Sequence, residues 1–100
     1  MARRFKFHGV DYRYIRSRTK DYGYCHPPNQ DKKKRIIGIS NKIKGKKELE
    51  INIHEFLHAC GWSTMSEEWV LQTSKDITEA LWELGYRKDE SKKTPEEGSD

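Results

Sequence analysis

Two different periods run along this chain. In the first forty residues apolar side chains alternate with polar ones. Phe5 and Phe7 share one side of Arg4–His8, and Val10, Tyr12 and Tyr14 repeat the pattern after His8-Gly9. A period of two marks a half-buried strand, and two such runs meeting at a short polar-glycine pair read as a hairpin. Tyr22–Cys25 is a further short strand, ended by Pro27-Pro28. Arg35–Ser40 (RIIGIS) is an isoleucine-rich strand between two polar loops, 29–34 and 41–47.

From Lys47 to Cys60 the spacing turns helical, with Leu49, Ile53, Phe56, Leu57 and Cys60 recurring along one stripe and Gly61 as the stop. Ser66 is a good N-cap for a second helix. Glu67 and Glu68 sit in its first turn, where the helix dipole favours carboxylates, and Met65 and Val70 occupy hydrophobic-staple positions. This helix runs to about Leu84 and is closed by Gly85. Its expected buried stripe is Val70, Ile77, Leu81 and Leu84, with the small Ser74 among them. The fold class is therefore α+β: a small N-terminal mixed or antiparallel sheet, then two helices, in one domain spanning 1–86. Residues 87–100 contain no apolar side chain and read as a charged, disordered tail.

Composition adds two constraints. With 33% apolar and 36% charged residues in 100, the core is modest, and a metal would help to staple it. The net charge of +4 is unevenly placed: residues 1–47 hold fifteen Lys/Arg against three Asp/Glu, and residues 48–100 hold five against thirteen. Such a split suits a basic sheet resting on acidic helices. The alternative is a nucleic-acid partner reached through 31–35 and 42–47, with Tyr12, Tyr14 and Tyr22 interleaved; without a recognition fold, solvated loops are the favoured reading of these runs. Two cysteines, Cys25 and Cys60, make no disulfide framework, and no apolar stretch suits a signal or membrane span, so a cytoplasmic protein is expected. Cys25-His26 lacks the second pair that a zinc finger requires. His8 reads as a surface turn residue, and Trp62, Trp69 and Trp82 as core or helix–helix contacts.

The chemistry lies in His54-Glu55-Phe56-Leu57-His58. Four residues apart on a helix, the two imidazoles leave the same face and can reach one ion at about 2.0–2.1 Å, the distance zinc requires. Glu55, rotated about 100° from His54, cannot share that ligand direction but can address a water on the metal as general base. Chance alone yields HExxH in about one or two of every hundred sequences of this composition. Its weight here comes from its helical setting, where three polar groups interrupt an apolar face and need partners.

A catalytic zinc site needs a third protein ligand. A metzincin-like continuation requires histidine at 64, where this chain has Thr64. The acidic candidates on the second helix are Glu67, Glu68, Asp76, Glu79 and Glu83. At 100° per residue Glu67 falls about 60° from Val70, at the edge of the buried stripe, and Glu68 about 160° away. Glu67 is the first choice and Glu68 the second; the alternative is that both only complement the helix N-terminus.

HEFLHACGW, SEEWV and DITEALWELGY together resemble the small HExxH proteins of phage genomes and, more broadly, the gluzincin metallopeptidases. The resemblance covers roughly residues 35–87. It implies a minimal zincin-like fold, in the host cytoplasm if the protein is phage-encoded, acting on a peptide or protein substrate. It implies zinc held by His54, His58 and Glu67 or Glu68, with Glu55 as general base. It also implies a strand, here Arg35–Ser40, that lies beside the active-site helix and binds extended peptide. The chain departs from full-length gluzincins in lacking a second subdomain. Tyr24, Tyr86 and His26 qualify as oxyanion stabilisers by residue type alone.

Overall fold

The computed structural model describes residues 3–88. Strand β1 (Arg3–Phe7) turns at His8-Gly9 into β2 (Val10–Ser17). The short strand β3 (Gly23–Cys25) and, after a 3-10 turn at Lys32–Lys34, β4 (Ile36–Ser40) complete the sheet. Two helices follow, α1 (Gly45–Cys60) and α2 (Glu67–Glu83). This is the expected α+β architecture. Both hairpin-turn residues have positive φ, 52° at His8 and 79° at Gly9, the two-residue turn whose twist matches that of its strands.

The sheet is mixed, in the order β1-β2-β4-β3. β2 pairs antiparallel with β1 and parallel with β4, and β3 closes the other side antiparallel to β4. β4 is thus an interior strand with both edges satisfied. Among the described residues the strand with an open edge beside α1 is β3, so the expectation that residues 35–40 offer such an edge is overturned.

The register sorts side chains onto two faces. Phe5, Phe7, Val10, Tyr12, Tyr14, Ile37 and Ile39 share the face that α1 covers. Tyr12, Ile37, Ile39, Ile43, Ile51 and Ala59 form the buried core, and Phe56 of α1 packs its ring against Phe5, Phe7 and Tyr14. Tyr12 donates its hydroxyl to the His26 carbonyl at 3.0 Å, and Tyr14 to Asn52 Oδ1 at 2.6 Å. Both tyrosines are committed to the core, so neither interleaves with the basic loops; Tyr22 is exposed, with the Lys47 ammonium 4.7 Å from its ring centre.

Polar groups fix the start of α1. Arg16 reaches over the sheet edge to Glu48 Oε2 (2.9 Å) and donates to the Ser40 and Ile43 carbonyls. Lys88 adds a second cation at 2.8 Å from the same carboxylate oxygen. Glu48 is buried, and removing one partner of a buried ion pair leaves a charge and several acceptors poorly compensated. Arg16→Ala is expected to destabilise the fold by about 3 kcal/mol, read as a lower midpoint in urea without a change in slope.

On α2 the buried residues are Val70, Ser74 and Thr78. Ile77 is 37% and Leu84 73% exposed, contrary to the expected stripe. Small hydroxyl residues let α2 lie close against α1, and their hydroxyls turn back to the helix: Ser74 donates to the Leu71 carbonyl and Thr78 to that of Ser74. Trp62 and Trp69 are likewise exposed, at 40% and 50%, rather than core. Arg87 stacks on Trp82 and Lys88 joins Glu48, whereas residues 89–100 of the expected tail lie outside the described residues. No helix among the described residues is long and apolar enough to cross a membrane.

Candidate metal centre

α1 carries Glu48, Ile51, Glu55 and Ala59 on its buried face. His54 and His58 fall on the adjoining flank, half-buried, with ring centres 4.9 Å apart. Gly61 ends the helix by donating its N–H to the Leu57 carbonyl. The chain then folds back so tightly that a Cβ on Gly61 would collide with Met65 and Thr64. That return is what brings the start of α2 over the two histidines.

Ser66 caps α2 by accepting from the Trp69 N–H at 3.1 Å. Glu67, the first residue inside the helix, points back past the helix start, as side chains in a first turn do. One of its oxygens lies 3.2 Å from His54 Nε2 and the other 3.1 Å from His58 Nε2. Donor atoms of His54, His58 and Glu67 all fall within 4.8 Å of one another, the one such grouping of three among the described residues. Glu68 is exposed and outside the group, as the helical wheel anticipates.

The donor chemistry fits zinc. Two imidazole nitrogens and one carboxylate oxygen are a typical catalytic set, leaving a fourth position for water. The observed N···O separations are close to the roughly 3.3 Å edge of a tetrahedron built on bonds of about 2.05 Å. Burial, and then the neighbouring His58, push the His54 pKa below its ordinary value, against an upward pull from Glu67. His54 is therefore favoured in the neutral form that a metal needs.

Glu55 is buried beside the cluster, and burial followed by the Glu67 charge raises its carboxyl to about 7. The cleft over these groups, about 520 Å³, has Gly23–Cys25 of β3 on one wall, His54, Glu55 and His58 on its floor, and Trp62, Met65 and Glu67 opposite. Sequence reasoning missed Trp62 and Met65 as walls; their closeness to the motif was the available signal. Cys25, also in the cleft, has its thiol pushed up to about 12, first by burial and next by the Glu55 charge, so it is no nucleophile.

Along β3 the alternation of hydrogen bonds leaves part of the backbone free. The His26 N–H donates to the Ile36 carbonyl and the Ser40 N–H to the Tyr22 carbonyl, so residues 22, 24 and 26 bond inward to β4. Gly23 and Cys25 turn their N–H and C=O groups to the open edge.

None of the residues qualified by type as oxyanion stabilisers presents its ring to the cluster. The Tyr24 ring lies over Gly38, His26 is bonded through Nδ1 to the Lys34 carbonyl, and Tyr86 lines a separate cavity with Glu48 and Trp82. No protein-family model matches this chain, and neither a curated protein nor a solved structure shows significant similarity to it.

Proposed function

We propose that this protein is a minimal zinc metallopeptidase, hydrolysing peptide bonds in short or unfolded chains. The observation that carries the reading is the convergence of Glu67, from a different helix, on both histidines of HExxH beside a buried Glu55. His54, His58 and Glu67 would hold the ion. Bound zinc polarises a carbonyl and makes a water acidic enough to react near neutral pH. Glu55 would take a proton from the attacking water on its carboxylate and pass it to the departing amine nitrogen, from a buried position beside the three donor groups. Gly23 and Cys25 supply backbone donors and acceptors that would align an extended substrate as an added strand. A cleft this open has no depth to enclose a folded partner, which favours flexible peptides.

The test is incubation of the zinc-loaded protein with a mixture of unstructured peptides, with new termini read by mass spectrometry. Cleavage that stops with a zinc chelator and returns on adding zinc supports the proposal. A zinc-loaded protein that yields no new termini at any pH between 6 and 9 refutes hydrolysis as the function.

A further inference from the structure

The sheet has a second face that neither helix covers. The register places Arg4, Lys6, Asp11, Arg13, Ile15 and Ile36 there, together with Gly38 and Tyr24. At its centre Gly38 has no side chain, and the Tyr24 ring fills that space; a Cβ on Gly38 would overlap the ring. His26 adds a second ring, its centre 5.4 Å from that of Tyr24. Half-buried Ile15 and Ile36 flank Gly38. Among the described residues the middle of this face is uncovered and carries an aromatic and apolar platform.

Around this platform the charge is basic, and part of it is placed at a cost. Arg4 and Arg13 are direct partners across β1 and β2, and like charges so placed oppose strand pairing. Asp11 offsets some of this, bonded to Arg4 at 3.0 Å and to Lys32 at 3.4 Å. The Arg13 side chain is exposed on the same face, and Lys33 and Lys34 are exposed at the end of the sheet where β4 begins. Arg16 and Arg35 are different: they donate to main-chain carbonyls and hold the fold. Lys6, Arg13, Lys33 and Lys34, for which no acidic partner lies among the described residues, thus share one surface with the ring platform.

We infer that this face binds a single-stranded polynucleotide, with bases stacked on Tyr24 and His26 and phosphates met by Lys6, Arg13 and the exposed Lys33 and Lys34. Stacking needs a ring and tolerates any base, and the phosphates relieve the Arg4–Arg13 repulsion. Four strands about 4.8 Å apart span roughly 14 Å, room for two or three nucleotides. A duplex hides its base faces and gains nothing from the rings. The surface lies on the opposite side of the sheet from the metal cluster, so this inference stands independently of the peptidase reading.

The experiment is fluorescence anisotropy of the whole protein with labelled single strands of about a dozen nucleotides, as DNA and as RNA, and with a duplex of equal length. Single strands of either sugar should bind more tightly than the duplex. Affinity should fall about 20- to 100-fold between roughly 50 and 200 mM salt, the slope of three to five phosphate contacts. Tyr24→Leu, which keeps Gly38 covered, should weaken binding about 5- to 100-fold. Arg13→Glu should weaken it at least about tenfold and flatten the salt slope, while Tm stays level or rises because Arg4 gains an opposite charge. The inference is overturned by absence of binding at low salt, by a duplex preference, or by wild-type affinity in Tyr24→Leu or Arg13→Glu.

Discussion

His54→Ala is expected to abolish stoichiometric zinc binding, lowering affinity at least about a hundredfold. Loss of a supporting partner alone brings roughly 10- to 100-fold, and here a direct ligand is removed. Glu67 is 69% exposed and, among the described residues, is held only by the two imidazoles, so the site rests on all three groups together. Glu67→Ala should therefore also lose zinc, whereas Glu68→Ala should keep it, since that carboxylate lies outside the cluster. Zinc at a hundred times its dissociation constant adds about 2.7 kcal/mol to the stability of the native state. For a domain of this size that is a rise in Tm of about 10–20 °C. The measurement is metal content after dialysis beside thermal melts with and without zinc. A His54→Ala protein that retains one zinc, or a Glu68→Ala protein that loses it while Glu67→Ala does not, would sink the ligand assignment.

The gathering of His54, His58 and Glu67 was readable because each member follows from a local rule. Spacing puts His54 and His58 on one face, and a serine cap followed by a helical wheel singles out Glu67 from Glu68. The same alternation reveals the β1–β2 hairpin, but the expected interleaving of Tyr12 and Tyr14 with the basic loops is overturned: the strand register sets them beside Phe5 and Phe7 in the core. Strand order was not readable. Alternation says which side chains share a face, not which strands are neighbours, so the interior position of β4 and the open edge of β3 emerge only from long-range pairing. The buried stripe of α2 was misjudged for a related reason. Apolar periodicity points to Ile77 and Leu84, but Ser74 and Thr78 satisfy their hydroxyls within the helix and so can occupy the close contact. The tether between Arg16 and Glu48 joins residues 32 apart in sequence, and no local pattern announces it.

Glu55→Gln is expected to separate chemistry from metal binding and to move stability in the opposite direction to activity. Glutamine keeps the shape of the side chain but takes no proton, so any peptide hydrolysis should fall about 10²- to 10⁴-fold, the usual contribution of a general base. Zinc content should be unchanged, because Glu55 lies outside the ligand cluster. In the metal-free protein burial lifts the Glu55 carboxyl from 4.5 to about 7, which means the fold favours its protonated form. Ionising it is unfavourable to the native state, so Glu55 withdraws stability from the metal-free wild type as pH rises from about 4.5 to about 7, against a gain from His54, whose lowered pKa acts in the opposite direction below 6.5. A shift of this size corresponds to at most about 3 kcal/mol. Glutamine removes that dependence: metal-free Glu55→Gln should match the wild type near pH 4.5 and exceed it by about 2–3 kcal/mol at pH 8. Urea denaturation at both pH values in the presence of chelator measures the gap, and a peptide assay of the zinc-loaded variant measures the loss. Hydrolysis that survives the substitution would remove Glu55 as the base. Identical stability curves for the two proteins would show that its carboxylate is not held at a cost beside Glu67, and would take away the physical reason for its titration near neutrality.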